Sequence, residues 1–266
     1  MEIQWSLVLF TALTGMAGWT LACVAVDEFA GKTRQTNTVA CVVAAALAAV
    51  GGIASVTHLS HPENMLAALS HPTSGIFTEA VLVGLAILCA AVYVILAVRQ
   101  GSAGVRKAFA VLAAVFGVAL SFMAGASYMM DSQLMWNTFA LPLGYCGTAI
   151  PAGVALYLVI AAFCKEEDLG LYAKLLVIGA VVAAVTAALY GCLSGTAAAE
   201  PAVVWGLCVV VGAVVPAVCG AVMVKKPELT LPLAVVALVG AFVGAVAYRC
   251  LMWMVSVVVN NFFGML

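Results

Sequence analysis

The sequence predicts an all-α, polytopic membrane protein with eight transmembrane helices and both termini on the outer side. Three observations predict it. Hydrophobic residues make up 66% of the 266 residues and charged residues only 8%, where a soluble domain has roughly half and a quarter, and the mean hydropathy is +1.22. The few charges divide the chain into eight apolar stretches, each long enough to cross hydrocarbon as a helix. The basic residues fall almost entirely between alternate stretches.

The stretches free of Asp, Glu, Lys and Arg are 3–26, 35–62, 80–98, 108–130, 132–164, 175–199, 201–224 and 229–248. A helix rises about 1.5 Å per residue and crosses the hydrocarbon in about 20 residues, so each stretch reads as one span. The first opens with Met1-Glu2-Ile3-Gln4-Trp5, which lacks the basic start of a cleavable signal and is expected to belong to a retained helix. The second ends near His58, and the third follows Thr73-Ser74, a helix-start pair. Pro142 and Pro151 in the fifth and Pro216 in the seventh are tolerable where neighbouring helices satisfy the freed carbonyls. Gly191-x-x-x-Gly195 and Gly240-x-x-x-Gly244 offer close-packing faces to the sixth and eighth. The eighth is expected to continue past Arg249, because 250–259 is apolar again. An outer-membrane barrel is excluded, since its strands are about half as long and alternate polar with apolar residues. Residues 1–266 therefore read as a single transmembrane domain, without an internal repeat.

Orientation follows from Lys and Arg. Lys32 and Arg34 follow the first span, Arg99, Arg106 and Lys107 the third, Lys165 and Lys174 the fifth, and Lys225 and Lys226 the seventh. Nine of the ten basic residues thus sit in odd-numbered connections, and the tenth, Arg249, lies within the eighth span. The positive-inside rule makes the odd connections cytoplasmic and puts 58–78, 131–137 and 194–200 outside, in a multi-pass protein of the cytoplasmic membrane.

Composition also limits the chemistry. A net charge of −1 argues against nucleic acid. The nine cysteines contain no C-x-x-C pair and no metal-ligand spacing, so they read as small packing residues and no metal site is predicted. His58, His61 and His71 all fall in one connection. They cannot readily supply axial ligands from facing helices, which argues against haem.

That connection, from Thr57 through Glu63 and Asn64 to Glu79, concentrates groups able to exchange protons. His61 and His71 precede proline and read as loop residues. His58 reads equally as the polar end of the second helix and as a proton acceptor. Glu79 is about one and a half turns into the third helix, where it suits either the helix dipole or a buried partner. The next outer connection brings Tyr128, Asp131, Trp136 and Asn137, of which the aromatics also suit the interfacial belt. Arg249, inside a span, needs a counter-charge or carbonyl partners, and Glu79 and Asp131 are both candidates.

In this order the residues resemble the membrane anchor family of dimethyl-sulfoxide reductases. The family's His-Leu-Gly-x-Pro-x-Arg pattern after the second helix is matched by His58-Leu59-Ser60-His61-Pro62-Glu63-Asn64, with Ser60 for the glycine and Asn64 for the arginine. Ser74 to Glu79 resembles its start of the third helix, with slightly altered spacing. Tyr128, Trp136, Pro142-Leu143-Gly144 and Arg249 resemble its later landmarks. The likeness spans the whole chain, and order and helix count carry it more than any single motif.

The resemblance implies a quinol-oxidising anchor of a respiratory molybdoenzyme complex, with menaquinol as bound substrate near the outer face. It implies His58 and Glu79 as the reactive pair and Asn64, Tyr128, Trp136 and Arg249 as further quinol-site residues. It also implies electron transfer to a four-cluster iron–sulfur subunit and then to a molybdenum bis-pterin subunit, with no haem in the anchor, for reduction of dimethyl sulfoxide or a similar oxidant. Alternative readings are a polysulfide-reductase-type quinone-reactive anchor and a secondary transporter, although carriers usually place paired polar groups at mid-membrane rather than at one face.

Overall fold

The computed structural model describes residues 2–30, 35–57 and 70–255. Eight long helices carry them: α1 Trp5–Phe29, α2 Gln35–Val56, α3 Gly75–Val98, α4 Ala103–Ala126, α5 Ala140–Phe163, α6 Gly170–Leu193, α7 Ala202–Lys225 and α8 Thr230–Met254. Each is long and apolar enough to cross a membrane. No strand occurs among the described residues.

Local chemistry sets several helix ends. Ser74 caps α3, its hydroxyl accepting the Phe77 N–H at 3.1 Å. Gln100 and Lys165 take left-handed backbone conformations just beyond α3 and α5. The amide after each bonds back five positions, from Gly101 to Leu96 O at 2.8 Å and from Glu166 to Ala161 O at 3.0 Å, which satisfies carbonyls the helix leaves open. Gly195, at φ +74°, is a turn residue, with open space where a β-carbon would stand, rather than a packing glycine. The first half of α7, Ala202–Val214, is wound as a wider π-helix that tightens at Val215. Pro216 lies in the first turn of the tighter part, where its missing N–H is least costly.

The charge-free stretches mark every helix but misplace some ends. Asp27 and Glu28 lie inside α1, Arg106 and Lys107 inside α4, and Lys174 inside α6. Conversely, α5 begins at Ala140, well after its stretch opens at 132. A charge ends a helix in lipid only when it lacks a buried partner, and Asp27 and Glu28 have several.

α1–α4 pack as one antiparallel four-helix group and α5–α8 as a second. The groups join where α5 lies against α1 and α4. α1 and α5 are the most enclosed, with 72% and 67% of their most apolar stretch buried against 22% for α3. α1 and α5 therefore form the centre and α3 the perimeter. α7 and α8 meet backbone to backbone: a β-carbon on Gly244 would lie 2.3 Å from Gly212 Cα, so only glycines permit this approach.

Candidate functional site

Polar and aromatic side chains gather at both ends of the bundle. At the end formed by the start of α3, the finish of α4 and the start of α5, Tyr128 and Trp136 project from the α4–α5 connection. Trp253 joins them from the last turn of α8. Trp136 and Trp253 stack edge-to-face with ring centres 5.4 Å apart. Tyr128 lies 6.1 Å from Trp136, 6.0 Å from Trp253 and 6.0 Å from Tyr145 of α5. Offset and edge contacts of this kind hold rings beyond their simple burial. The cluster is tied to α8 by the Trp136 indole N–H, which donates to Met252 O at 2.7 Å. Tyr248 extends the cluster inward, packing on Tyr145 and on Tyr190 of α6. Its hydroxyl donates to the Ala140 and Leu141 carbonyls at 3.1 Å. Gly144 makes room for it, since a β-carbon there would fall 2.0 Å from the Tyr248 hydroxyl.

Beneath these rings lies Arg249, with no exposed surface. All five of its N–H groups are used. Nε donates to Thr11 Oγ1 at 2.9 Å, one terminal nitrogen to Ala245 O at 2.8 Å and Thr148 Oγ1 at 3.4 Å, and the other to Thr11 O at 3.0 Å and Tyr145 O at 3.2 Å. The two threonines accept from Arg249 while donating to carbonyls one turn back, Leu7 O and Gly144 O. The guanidinium also lies 4.8 Å from the centre of the Tyr145 ring, a cation–π distance. Neither carboxylate considered from the sequence pairs with it. Asp131 is exposed and accepts from Asn137 at 2.8 Å, while Glu79 faces Ser127 at the end of α4.

Tyr128 is electrostatically coupled to both Glu79 and Arg249. Burial raises its hydroxyl well above the ordinary tyrosine range, the Glu79 carboxylate pushes it the same way, and Arg249 opposes both. It is therefore a neutral hydroxyl at physiological pH. The structure thus brings Glu79, Tyr128, Trp136 and Arg249 to one end of the bundle. His71 is exposed at the same end, its Nδ1 3.0 Å from the Ser70 hydroxyl. His58, His61, Glu63 and Asn64 lie outside the described residues.

The opposite end holds a second cluster that the charge pattern did not reveal. Asp27 and Glu28 are each 1% exposed. Asp27 accepts short hydrogen bonds from Tyr157 and Tyr172. Tyr157 also lies 2.8 Å from Asn37 Oδ1. Glu28 pairs with Arg106 at 3.1 Å and accepts from Tyr93 at 2.8 Å. Buried charges persist when paired and fully hydrogen-bonded, as these are. The available signal was two adjacent acids at the end of an apolar span, together with tyrosines near the same ends of three other spans. Trp253, Tyr145, Tyr190 and Tyr248 were likewise missed; Trp253 follows Arg249 by one helical turn, which was the readable clue. Among the described residues, no three His, Cys, Asp or Glu side chains group closely enough to share a metal ion, and all nine cysteines are free.

Direct comparison with curated proteins finds no match. A family model described as DMSO reductase anchor subunit (DmsC) matches residues 1–264. With essentially its whole length matched and eight membrane-spanning helices in place, the chain belongs to the family of DMSO reductase membrane anchor subunits.

Proposed function

We propose that the chain is the quinol-oxidising subunit of a respiratory molybdoenzyme complex, with its site at the aromatic end of the bundle. The observation that carries this reading is the position of Tyr128. It is a neutral hydroxyl ringed by Trp136, Trp253 and Tyr145 and under the opposed electrostatic influence of Glu79 and Arg249. It lies at the end from which the His58 connection leaves α2. Flat rings suit stacking against a quinol headgroup, and the apolar helix faces suit its isoprenoid tail.

Oxidation of a quinol to the quinone releases two electrons and two protons. His58 accepts the hydrogen bond of one hydroxyl and gives its proton an acceptor, and Glu79 passes protons towards water. Asn64 is a further polar group that this reading assigns to the quinol. Arg249 acts through its charge, since its N–H groups are all occupied. The electrons leave to a four-cluster iron–sulfur subunit and reach a molybdenum bis-pterin subunit, where dimethyl sulfoxide or a similar oxidant is reduced. The excess of Lys and Arg in odd connections supports an outward-facing site and termini in the cytoplasmic membrane, with the partner subunits on the outer face. Menaquinol is the substrate this reading takes.

Replacing His58 by Ala in the intact complex tests it. Quinol-dependent turnover should fall by about 100-fold or more, while turnover driven by a reduced dye acting directly on the partner subunits persists. Unchanged quinol-dependent turnover overturns the reading.

A further inference from the structure

Gln133 lies in the connection between α4 and α5, five residues after Tyr128 and three before Trp136. Its backbone is fully employed: its N–H donates to Met130 O at 3.1 Å, and its carbonyl accepts from the Trp136 and Asn137 amides at 2.9 and 3.0 Å. Its side chain is 5% exposed. The side-chain oxygen Oε1 is sealed from solvent and has no hydrogen-bond partner among the described residues. An amide oxygen is a strong acceptor, and burying it without a donor is costly. A polar side chain on a surface connection had an inexpensive alternative, which was to turn into water.

Three neighbouring side chains donate elsewhere. The Trp136 indole serves Met252 O, Asn137 serves Asp131, and Arg249 has no free N–H. Tyr190 carries the other unpartnered buried oxygen at this end. It sits on α6 behind Tyr248, and no hydrogen bond joins it to Gln133. Among the described residues, then, no hydrogen bond reaches Gln133 Oε1.

We infer that Gln133 Oε1 accepts a hydrogen bond from a hydroxyl of the bound quinol, an inference that rests on the quinol-site reading above. This contact distinguishes the two redox states of the ligand. A quinol hydroxyl donates to Oε1. A quinone carbonyl cannot, and places acceptor against acceptor. Gln133 thus favours binding of the reduced substrate and release of the oxidised product.

The test uses the intact purified complex with Gln133→Met, which keeps the length of the side chain and removes the acceptor. The KM for quinol should rise by about 3- to 10-fold, the loss of one hydrogen bond, while dye-driven turnover, which bypasses this chain, reports intact assembly. The thermal midpoint should not fall, because an unpaired buried acceptor has been removed. In the unmodified complex, a quinol analogue should bind more tightly than its dimethyl ether, and Gln133→Met should erase that preference. An unchanged KM with the preference retained overturns the inference. Equal binding of the quinol analogue and its ether by the unmodified complex also overturns it, and that measurement needs no variant to fold. His58→Ala separates the two claims. If it abolishes quinol turnover while Gln133→Met behaves like the parent, only the role of Gln133 fails. If His58→Ala leaves quinol turnover intact, the quinol reading itself fails.

Discussion

Arg249 is a cation buried with neutral partners only. Each N–H is satisfied, yet its charge meets no carboxylate among the described residues, so it persists against a desolvation cost that hydrogen bonds to carbonyls and hydroxyls offset only in part. Such an arrangement is expected where the charge serves function rather than stability. Arg249→Met, which roughly preserves volume, should leave the purified complex at least as stable to heat, with a gain of about 1 kcal/mol within reach, while quinol-dependent turnover falls. Thermal unfolding and turnover of the same preparation check both halves. Arg249 stood out in the sequence as the one base inside a span. Its partners did not, because three of its five bonds go to backbone carbonyls, which have no residue type to recognise.

Helices in this protein were legible where charge is rare and blurred where charge is buried. Every span expected from the gaps between charges exists, but α1 continues through Asp27 and Glu28 because tyrosines from α3, α5 and α6 and Arg106 from α4 receive them. A gap count treats each carboxylate as solvated and so stops one turn early. The glycine patterns split in a similar way. Gly240-x-x-x-Gly244 forms a true packing face, with Gly244 against Gly212 and Gly240 against Val211 O, whereas Gly195 of the other pattern serves a turn. Gly244→Val should force α7 from α8 and destabilise the protein by about 1–3 kcal/mol. A lowered thermal midpoint in detergent measures this. The same substitution at Gly170, which has open space around it, should leave the midpoint near that of the parent.

Across the whole molecule the two ends differ in kind. One end carries the aromatic cluster, Glu79 and buried Arg249. The other is held by a hydrogen-bonded network drawing one or more side chains from each of α1 to α6: Asp27 and Glu28, Asn37, Tyr93, Arg106, Tyr157 and Tyr172. It locks the first four-helix group to the start of the second, and leaves the aromatic end to rings, Glu79 and a single buried cation. The proposed orientation makes a direct prediction at this scale. A reporter enzyme active only outside the cytoplasm should be active when fused after Ser132 and inactive when fused after Glu228. The reverse result would turn the molecule over and place the aromatic end on the cytoplasmic side.

Composition and the spacing of charge were enough to establish an eight-helix membrane protein, and the order of its few polar landmarks was enough to suggest its family. Both are one-dimensional properties, because hydrocarbon penalises each unpaired charge wherever it falls along the chain. Which side chains meet was settled only by packing. Glu79, the Tyr128–Trp136 connection and Arg249 come from three separated segments, and their proximity depends on how α3, α4, α5 and α8 end beside one another. The pairing of Asp27 with two tyrosines is likewise a contact between distant segments. Hydropathy measures the cost of burying a group, whereas the tertiary fold determines whether that group finds a partner.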